Sequence, residues 1–387
     1  MVPGTILRSR YEIVSLIGKG GMSVVYLALM RPHGKDIVIK ETAQGGKDGS
    51  KALEKEFSIL SQLFHPHLPC VIDLFEEHSR VYLVEDYIKG KPLDATLKEI
   101  PPPDLVPLYR IIFQVCATLS YLHGKKILHR DLKPSNIILS EKGIAKLIDF
   151  GSARIVKKGK KADTVAFGTV GFASPEHYGC RQTDERSEVF SLGALCHYLF
   201  TRQNPSEKPF IFEDPAKINT ALPEAVAALI RKATQLKRES RIGTISEFRH
   251  HLAGAAALSA GREKLLFCPL CWVVMDSLKA GSTSFEGCPL CRGIWCSTRE
   301  LSRRGPFIYG ENNPLIEEYW EETPVPKENH DFTMRRLCCP RCGTLMHTFH
   351  HRKAAHTELD RCPEGCGLWL DRGELKALFL PRGGKGL

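Results

Sequence analysis

Four closely spaced cysteine pairs in the last third of the chain are the strongest constraint on how it folds. Ten of the 14 cysteines lie after residue 260, and eight of them form the pairs Cys268–Cys271, Cys288–Cys291, Cys339–Cys342 and Cys362–Cys366. Two such pairs separated by 16 or 19 residues predict a closed tetrahedral zinc site with four thiolate ligands. Segments of about 35 residues are too small to fold on apolar burial alone, so metal binding has to supply folding free energy.

The cysteine pairs belong to an internal repeat. CPLC…CPLCRGIWCSTREL and CPRC…CPEGCGLWLDRGEL share two cysteine pairs, Gly-x-Trp and Glu-Leu, at an offset of 71 residues between their first cysteines. The second copy resembles the zinc-ribbon family named after transcription factor IIB. The first copy is degenerate, because Cys296 and Ser297 stand where the second has Leu370 and Asp371. The repeat predicts two structural zinc ions, one in each copy.

Other potential ligands lie near these pairs. Cys296 and Cys338 are interpreted as spare thiols, because four cysteines already complete each site. The same reasoning assigns the histidines of the second spacer to a solvated loop; they are His347, His350, His351 and His356.

A glycine-rich turn begins the first two-thirds of the chain. Gly18-x-Gly20-x-x-Ser23-x-Val25 lies between β-branched segments that predict strands, and glycines let backbone N–H groups approach phosphate oxygens. On its own the turn is equally compatible with a plain hairpin. The nucleotide contacts predicted here are Ile17, Gly18, Lys19, Gly20, Gly21, Met22, Ser23, Val24 and Val25.

HRDLKPSNIIL at 129–139 and LIDFG at 147–151 add the other parts of a phosphoryl-transfer site. Such a site needs a carboxylate to orient the hydroxyl, cations on the phosphates and oxygen ligands for Mg²⁺. Asp131 is the candidate for the first role and Lys133 for contact with the transferred phosphate. The remaining candidates are Asn136 and Asp149 for Mg²⁺, and Lys40, paired with Glu56, for the α- and β-phosphates of ATP.

These motifs, in this order, resemble the eukaryotic-type protein kinases over residues 11–252. LKPSN is the serine/threonine form of the catalytic loop, and KGGMSVVYLA and GTVGFASPEHY look most like bacterial members. The resemblance implies an α+β bilobal fold with a β-rich N-lobe, a helical C-lobe and ATP between them. It also implies Val84 as gatekeeper, Glu85 and Tyr87 in the hinge that meets adenine, and an ion pair between Glu176 and Arg241.

The sequence departs from the kinase pattern at three positions. Ser23 replaces a glycine and Ser174 an alanine, and both changes are small. Glu188 stands where the family usually has the aspartate that steadies the catalytic loop, so its extra methylene has to be accommodated. The phosphate and metal residues are all present, which favours an active enzyme over a nucleotide-binding scaffold.

The chain is predicted to contain a kinase domain over 11–252, a linker over 253–264 and the two zinc ribbons over 265–301 and 338–380. A second linker, 302–337, is predicted to carry a short helix from about Pro314 to Glu321. Helical periodicity also predicts a helix that places Leu53, Phe57, Leu60 and Phe64 on one face, and another that ends at Gly124.

Charge and hydropathy restrict the partners. Residues from 261 onwards carry 18 Lys/Arg and 16 Asp/Glu, a net charge of +2, so +8 of the net charge of +10 belongs to residues 1–260. Two four-thiolate zinc centres would add about −2 each, which argues against nucleic-acid binding by the ribbons. No apolar run is long enough to span a membrane, and MVPGTILRSRYEIV does not look like a signal peptide, which predicts a cytoplasmic protein.

Three functions are compatible with these observations. The first is an ATP- and Mg²⁺-dependent protein serine/threonine kinase that phosphorylates protein hydroxyls, including its own, and whose ribbons recruit or regulate. The second is a signalling scaffold with a kinase fold. The third is a kinase tethered to nucleic acid by its ribbons. The intact set Lys40, Asp131 and Asp149 favours the first.

Overall fold

The structure is a computed structural model that forms two compact units, Met1–Ala260 and Gly261–Leu387. It describes residues 1–19, 23–42, 47–100, 105–141, 143–156, 168–178, 182–259, 266–270, 273–280, 283–289, 291–297, 337, 339–341, 344, 346–351, 354–372 and 374. The predicted helix near Pro314 and the linker around it, up to residue 336, lie outside these residues.

The first unit begins with an antiparallel sheet of order β1-β2-β3-β4-β6-β5. Its strands are β1 (Ile6–Leu7), β2 (Tyr11–Lys19), β3 (Ser23–Met30), β4 (Lys35–Thr42), β5 (Val71–Glu77) and β6 (Arg80–Asp86), and helix α1 (Lys47–Leu60) follows β4. Successive strand residues face opposite sides of the sheet. One side buries a cluster that includes Ile37, Ile39 and Val84, and the other packs Leu83 against Leu53 of α1.

Helix α1 ends earlier than its apolar periodicity predicts. The predicted face extends to Phe64, but the helix ends at Leu60 and the side chain of Phe64 is 54% exposed. Residues 61–64 turn instead, with Leu63 N–H donating to Leu60 O. His65 precedes Pro66, and the residue before a proline disfavours helical backbone, so the chain leaves the helix before this point.

The rest of the first unit is largely helical. Its helices are α2 (Leu93–Thr96), α3 (Val106–Gly124), α4 (Pro175–Tyr178), α5 (Glu185–Thr201), α6 (Pro215–Ile218), α7 (Glu224–Ala233) and α8 (Ile245–Ser259). Short strands stand between them: β7 (Gly90–Pro92), β8 (Ile127–Leu128), β9 (Ile137–Ser140), β10 (Ala145–Leu147) and β11 (Arg154–Ile155). The predicted helix end at Gly124 is correct. A β-rich lobe followed by a helical one confirms the predicted α+β bilobal fold.

The second unit is built on one antiparallel sheet to which both repeat copies contribute. Its strands are β12 (Asp276–Ala280), β13 (Thr283–Gly287), β14 (Ile294–Cys296), β15 (His347–His351), β16 (Ala354–Arg361) and β17 (Leu368–Leu370). The order β12-β13-β14-β17-β16-β15 joins the copies through β14 and β17. Both copies also share one buried core, in which Trp295 and Trp369 are the largest side chains. No helix among the described residues is both long and apolar enough to cross a membrane.

Candidate functional site

The lysine at the centre of the candidate site contacts two buried carboxylates. Lys40, in β4, places its Nζ 2.6 Å from Oε1 of Glu56 in α1 and 3.1 Å from Oε2 of Glu85 in β6. Burial alone would lower the pKa of Lys40, but the charges of Glu56 and Glu85 raise it, so the ammonium stays charged. Glu56 Oε1 also accepts from the backbone N–H of Phe150, at 3.0 Å, which links the sheet to the DFG segment.

The arrangement of residues at the end of β6 differs from the predicted one. Val84 pairs with Ile39 and packs in the cluster on the far side of the sheet, so its predicted role as gatekeeper is wrong. Glu85 is the residue that faces Lys40, and it lies within β6, ahead of the interlobe connection at 87–89. Tyr87 is half-buried in that connection. The pKa of Glu85 is raised, because burial raises it by more than the charge of Lys40 lowers it.

The predicted glycine-rich turn joins β2 to β3. Gly18 pairs with Val25 and Lys19 with Val24, and the register shifts between Leu16 and Gly18. Ile17 is half-exposed, and Ser23 begins β3 beside Thr42 of β4. The tip of the turn, Gly20, Gly21 and Met22, lies outside the described residues. The two strands therefore place the turn at the end of β4 that carries Lys40.

The catalytic-loop candidates converge on Asp131. Lys133 Nζ lies 2.8 Å from Asp131 Oδ2, and the hydroxyl of Thr169 donates to Asp131 Oδ1 at 2.7 Å. Asn136 Nδ2 donates to Asp131 Oδ2 at 3.0 Å. Burial works to raise the pKa of Asp131, but the bonds from Lys133 and Thr169 outweigh it and lower the pKa. Asp131 is thus an ionised hydrogen-bond acceptor, and the hydroxyl of Thr169 is already bonded to it.

Asp149 projects into the same region from an unusual backbone conformation. Its φ is 67°, and its Oδ1 accepts from Gly151 N–H at 3.2 Å. The neighbouring Phe150 is buried and its ring meets that of His129 edge-on, with centroids 4.9 Å apart. Left-handed backbone at a non-glycine residue is held only by its surroundings, and here the buried Phe150 anchors the segment that presents the Asp149 carboxylate.

The two carboxylate oxygens of Glu188 bond to different partners, and this is how the structure accommodates a side chain one methylene longer than aspartate. Oε1 accepts from the backbone N–H groups of His129, at 2.5 Å, and Arg130, at 2.8 Å, just before Asp131. Oε2 bonds Nε2 of His123 in α3. Burial would lower the pKa of His123, but its contacts with Glu185 and Glu188 raise it to about 9. The replacement of the usual aspartate is therefore matched by a buried ion pair that supports the catalytic loop.

Three cations lie close together beside this loop. Burial, followed by the charge of Arg154, lowers the pKa of Arg130 to about 10. Burial, Arg130 and Arg154 likewise lower the pKa of Lys55. Arg130 also donates from Nε to Ser152 O at 2.9 Å. Mutually repelling cations in partly buried positions form an environment that favours an anion.

The predicted ion pair at the end of the activation segment is confirmed. Arg241 donates from Nη1 to Oε1 of Glu176 at 2.5 Å and from Nη2 to Oε2 at 2.9 Å. The guanidinium also lies 4.9 Å from the ring centroid of Phe190. These contacts, together with the Ser187 hydroxyl that donates to Glu176, fix α4 against the helical lobe.

Each repeat copy brings three cysteine thiols together. The sulfurs of each set lie within 4.8 Å of one another, and the sets are Cys268, Cys288 and Cys291, and Cys339, Cys362 and Cys366. The fourth predicted ligands, Cys271 and Cys342, lie outside the described residues. Cys268 Sγ and Cys291 Sγ are 3.6 Å apart. Sulfurs on a tetrahedral zinc with bonds of about 2.3 Å lie about 3.8 Å apart, so the spacing of Cys268 and Cys291 fits a shared zinc and is too long for a disulfide between them.

The neighbouring thiols and histidines have different positions. Cys296 is buried on the opposite side of β14 from Trp295, among Leu278, Phe285 and Leu370, and so is outside the sulfur cluster. His347 is exposed at the start of β15. The other candidates, Cys338 and the side chains of His350, His351 and His356, lie outside the described residues.

The two ribbon copies differ beside their tryptophans. Trp369 Nε1 donates to Oδ1 of Asp371 at 3.0 Å. Trp295 Nε1 is buried and has no hydrogen-bond partner in the described part of the chain. Ser297 stands where the second copy has Asp371, so the degeneracy seen in the sequence removes a buried hydrogen bond.

Some parts of the site were not predicted from the sequence. The contact of Glu85 with Lys40 depends on which side of β6 the residue faces, and no single residue type reports this. The pairing of His123 with Glu188 joins residues 65 positions apart. The shared ribbon sheet had one signal, the Gly-x-Trp that both copies carry.

Comparison with known proteins agrees with the geometry. Residues 11–252 match the protein kinase domain model, and residues 338–380 match the transcription factor zinc-finger model. A Clostridium perfringens protein named "Probable serine/threonine-protein kinase" is 29% identical over 259 residues, 63% of this chain and 38% of the relative. The serine/threonine-protein kinase PknB of Mycobacterium leprae is 30% identical over 278 residues, 64% of this chain and 43% of the relative.

An Aurora kinase of Eremothecium gossypii is 32% identical over 229 residues, which are 56% of this chain and 60% of the relative. The chain thus spans less than two thirds of the length of each of these relatives. The kinase match, by contrast, covers more than half of this chain and contains every residue of the candidate phosphoryl-transfer site. The chain belongs to the protein kinase family.

Proposed function

We propose that this chain is a protein serine/threonine kinase that transfers phosphate from ATP to serine and threonine hydroxyls, including its own. The observation that supports this most directly is the hydroxyl of Thr169, which donates to Asp131 Oδ1 at 2.7 Å and accepts from Lys133 Nζ at 2.9 Å. A substrate hydroxyl in the same place would be held by an ionised carboxylate beside a cation. That is the arrangement that phosphoryl transfer to an alcohol requires.

Each residue of the site has a separate role that follows from its position. Asp131 orients the hydroxyl and accepts its proton, and Lys133 stabilises charge on the transferred phosphate. Lys40, kept charged by Glu56, binds the α- and β-phosphates next to β3, where Val25 pairs with it. Asn136 directs its amide nitrogen to Asp131, so its oxygen is the atom available to a cation, together with the Asp149 carboxylate. When bound there, Mg²⁺ offsets the negative charge of the phosphates.

The test is phosphate transfer from labelled ATP by the purified chain. Asp131→Asn and Lys40→Met should each reduce autophosphorylation to background, because one removes the proton acceptor and the other misplaces the phosphates. Asp36→Asn is the matched control, since Asp36 is an exposed carboxylate of β4. Transfer at the unsubstituted rate by Asp131→Asn would reject Asp131 as the acceptor. A chain that binds ATP and transfers nothing would instead be a scaffold.

We further propose that the cysteine repeats hold two structural zinc ions and serve as a module for recruitment or regulation. With Cys271 and Cys342 as the fourth ligands, each set would leave no position for a reacting ligand, which supports a structural role. The weak charge of this part of the chain supports a protein partner over nucleic acid. Reduced thiols of this kind are kept in the cytoplasm, where we place the protein.

The proposed domains are those predicted above, with the kinase over 11–252 and the ribbons over 265–301 and 338–380. A chain that ends near residue 260 should keep autophosphorylation and lose partner binding or regulation, because the phosphate site is complete within the first unit. If the shortened chain is folded and binds ATP but transfers no phosphate, the ribbons are part of the active enzyme.

A further inference from the structure

The carboxylate of Glu85 is buried, yet only one of its oxygens is satisfied. The residue is 4% exposed, and its Oε2 lies 3.1 Å from Lys40 Nζ. Its Oε1 is inaccessible to solvent and has no hydrogen-bond partner among the described residues. A buried acceptor without a donor costs free energy, and such groups in folded proteins need a reason. A donor supplied by a ligand would satisfy it.

The position of Glu85 indicates which part of a nucleotide would meet it. Lys40 pairs with Leu83 and Val38 pairs with Glu85, so the two charged side chains lie on one side of the sheet. Glu85 is the nearer of the two to the interlobe connection at 87–89, which leads into β7. The glycine-rich turn and Lys40 hold the phosphates at the other end. The base, at the far end of the nucleotide from the phosphates, therefore lies toward Glu85.

We propose that Oε1 of Glu85 accepts a hydrogen bond from the exocyclic amine of adenine, which makes Glu85 a residue that selects ATP over GTP. The inference rests on the proposed kinase function and adds the recognition of the base to it. Adenine carries a donor at its 6-position, whereas guanine carries a carbonyl oxygen there. A carboxylate oxygen opposite that carbonyl leaves two acceptors facing each other. While Oε1 of Glu85 bonds to the base, its Oε2 stays bonded to Lys40. One side chain therefore both recognises the base and positions the lysine.

The inference is tested by the affinities of the full chain for ATP and GTP, measured by displacement of a fluorescent nucleotide without any phosphate transfer. In Glu85→Gln the amide oxygen takes the place of Oε2 on Lys40, because an ammonium needs an acceptor. The amide nitrogen then faces the base, where it meets guanine favourably and adenine unfavourably. The preference of the unsubstituted chain for ATP over GTP should fall by about tenfold or more. Asp86→Asn makes the same chemical change at the next, half-exposed residue and should leave the preference unchanged.

A second measurement does not depend on the orientation of the amide group that Glu85→Gln introduces. Purine riboside triphosphate lacks the 6-amine, and it should bind the unsubstituted chain about tenfold more weakly than ATP. This difference should shrink in Glu85→Gln or, if that variant does not fold by its thermal melting, in Glu85→Asp, which withdraws the acceptor by one methylene. Unchanged ratios in a folded variant would overturn the contact with adenine. Failure of the unsubstituted chain to bind either ATP or GTP would overturn the nucleotide site itself, and the base contact with it.

Discussion

Trp295 and Trp369 pair across the β14–β17 ladder, and each indole covers the glycine two residues before the other tryptophan. A Cβ on Gly293 would lie 2.1 Å from Cζ2 of Trp369, and one on Gly367 would lie 2.7 Å from Cζ2 of Trp295. The contact is reciprocal because the two copies carry the same Gly-x-Trp. The glycines are needed for the close approach of the partner ring, and the ribbons hold each other's core together.

Gly293→Ala should destabilise both ribbons. The added methyl overlaps the ring of Trp369, and overpacking of a buried contact costs about 1–3 kcal/mol. Guanidinium unfolding followed by tryptophan fluorescence reports on this unit alone, since all four tryptophans lie after residue 260. Glu364→Ala is the control, because Glu364 is an exposed residue of the same unit. An unchanged midpoint for Gly293→Ala would mean that the tryptophan contact contributes nothing to stability.

Replacement of Cys362 and Cys366 by serine should reduce the zinc content from about two ions per chain to fewer than one. The variant loses one set of ligands directly, and the shared core that includes Trp295 and Trp369 then loses half of its support. Metal analysis of the purified chain gives the stoichiometry. Cys70→Ser controls for loss of a thiol, since Cys70 is exposed in the first unit. A variant that retains one full zinc would show that the copies fold independently.

The sequence predicted the chemistry of the site better than its geometry. Asp131, Lys133 and Asn136 occur within one short motif, so their proximity follows from local spacing. Glu85 is different: a shift of one residue along a strand exchanges the two sides of the sheet, and Val84 and Glu85 are neighbours in a strand buried on both sides. The pairing of β14 with β17 joins residues 74 positions apart, and only the repeated Gly-x-Trp gave a sign of it.

The ion pair of His123 with Glu188 predicts a loss of stability in alkaline solution. The pKa of His123 is raised to about 9 in the folded protein, against about 6.5 in an unfolded chain. Folding therefore takes up a proton between these values, and stability that is fully present below pH 6.5 is lost as the pH rises through 9. The full effect is on the order of 3 kcal/mol.

His123→Gln should flatten this part of the profile, because glutamine does not titrate. Thermal melting between pH 6 and pH 10 measures it, with His33→Gln as the control for an exposed histidine. If the unsubstituted chain and His123→Gln lose stability in parallel over this interval, the ion pair is not its cause.

Phosphorylation of the segment after Asp149 should raise the activity of the kinase. Lys55, Arg130 and Arg154 repel one another, and a phosphate would relieve this repulsion with charge-assisted hydrogen bonds. We expect the phosphate on Thr164, which follows the basic run KKGKK at 157–161; both lie outside the described residues. Thr169 is held by Asp131 and Lys133, so its hydroxyl belongs to the active site and is not the expected target.

Thr164→Ala should lower the rate of transfer to an added substrate by about tenfold or more, which corresponds to one lost charge-assisted contact. Thr220→Ala is the matched control at an exposed threonine. Phosphatase treatment should reduce the unsubstituted chain to the rate of Thr164→Ala, and Arg154→Gln should lose most of the response because the phosphate then has one partner fewer. Mass spectrometry identifies the modified residue. Full activity in a chain whose activation segment carries no phosphate would show that the cations act on the catalytic loop without this switch.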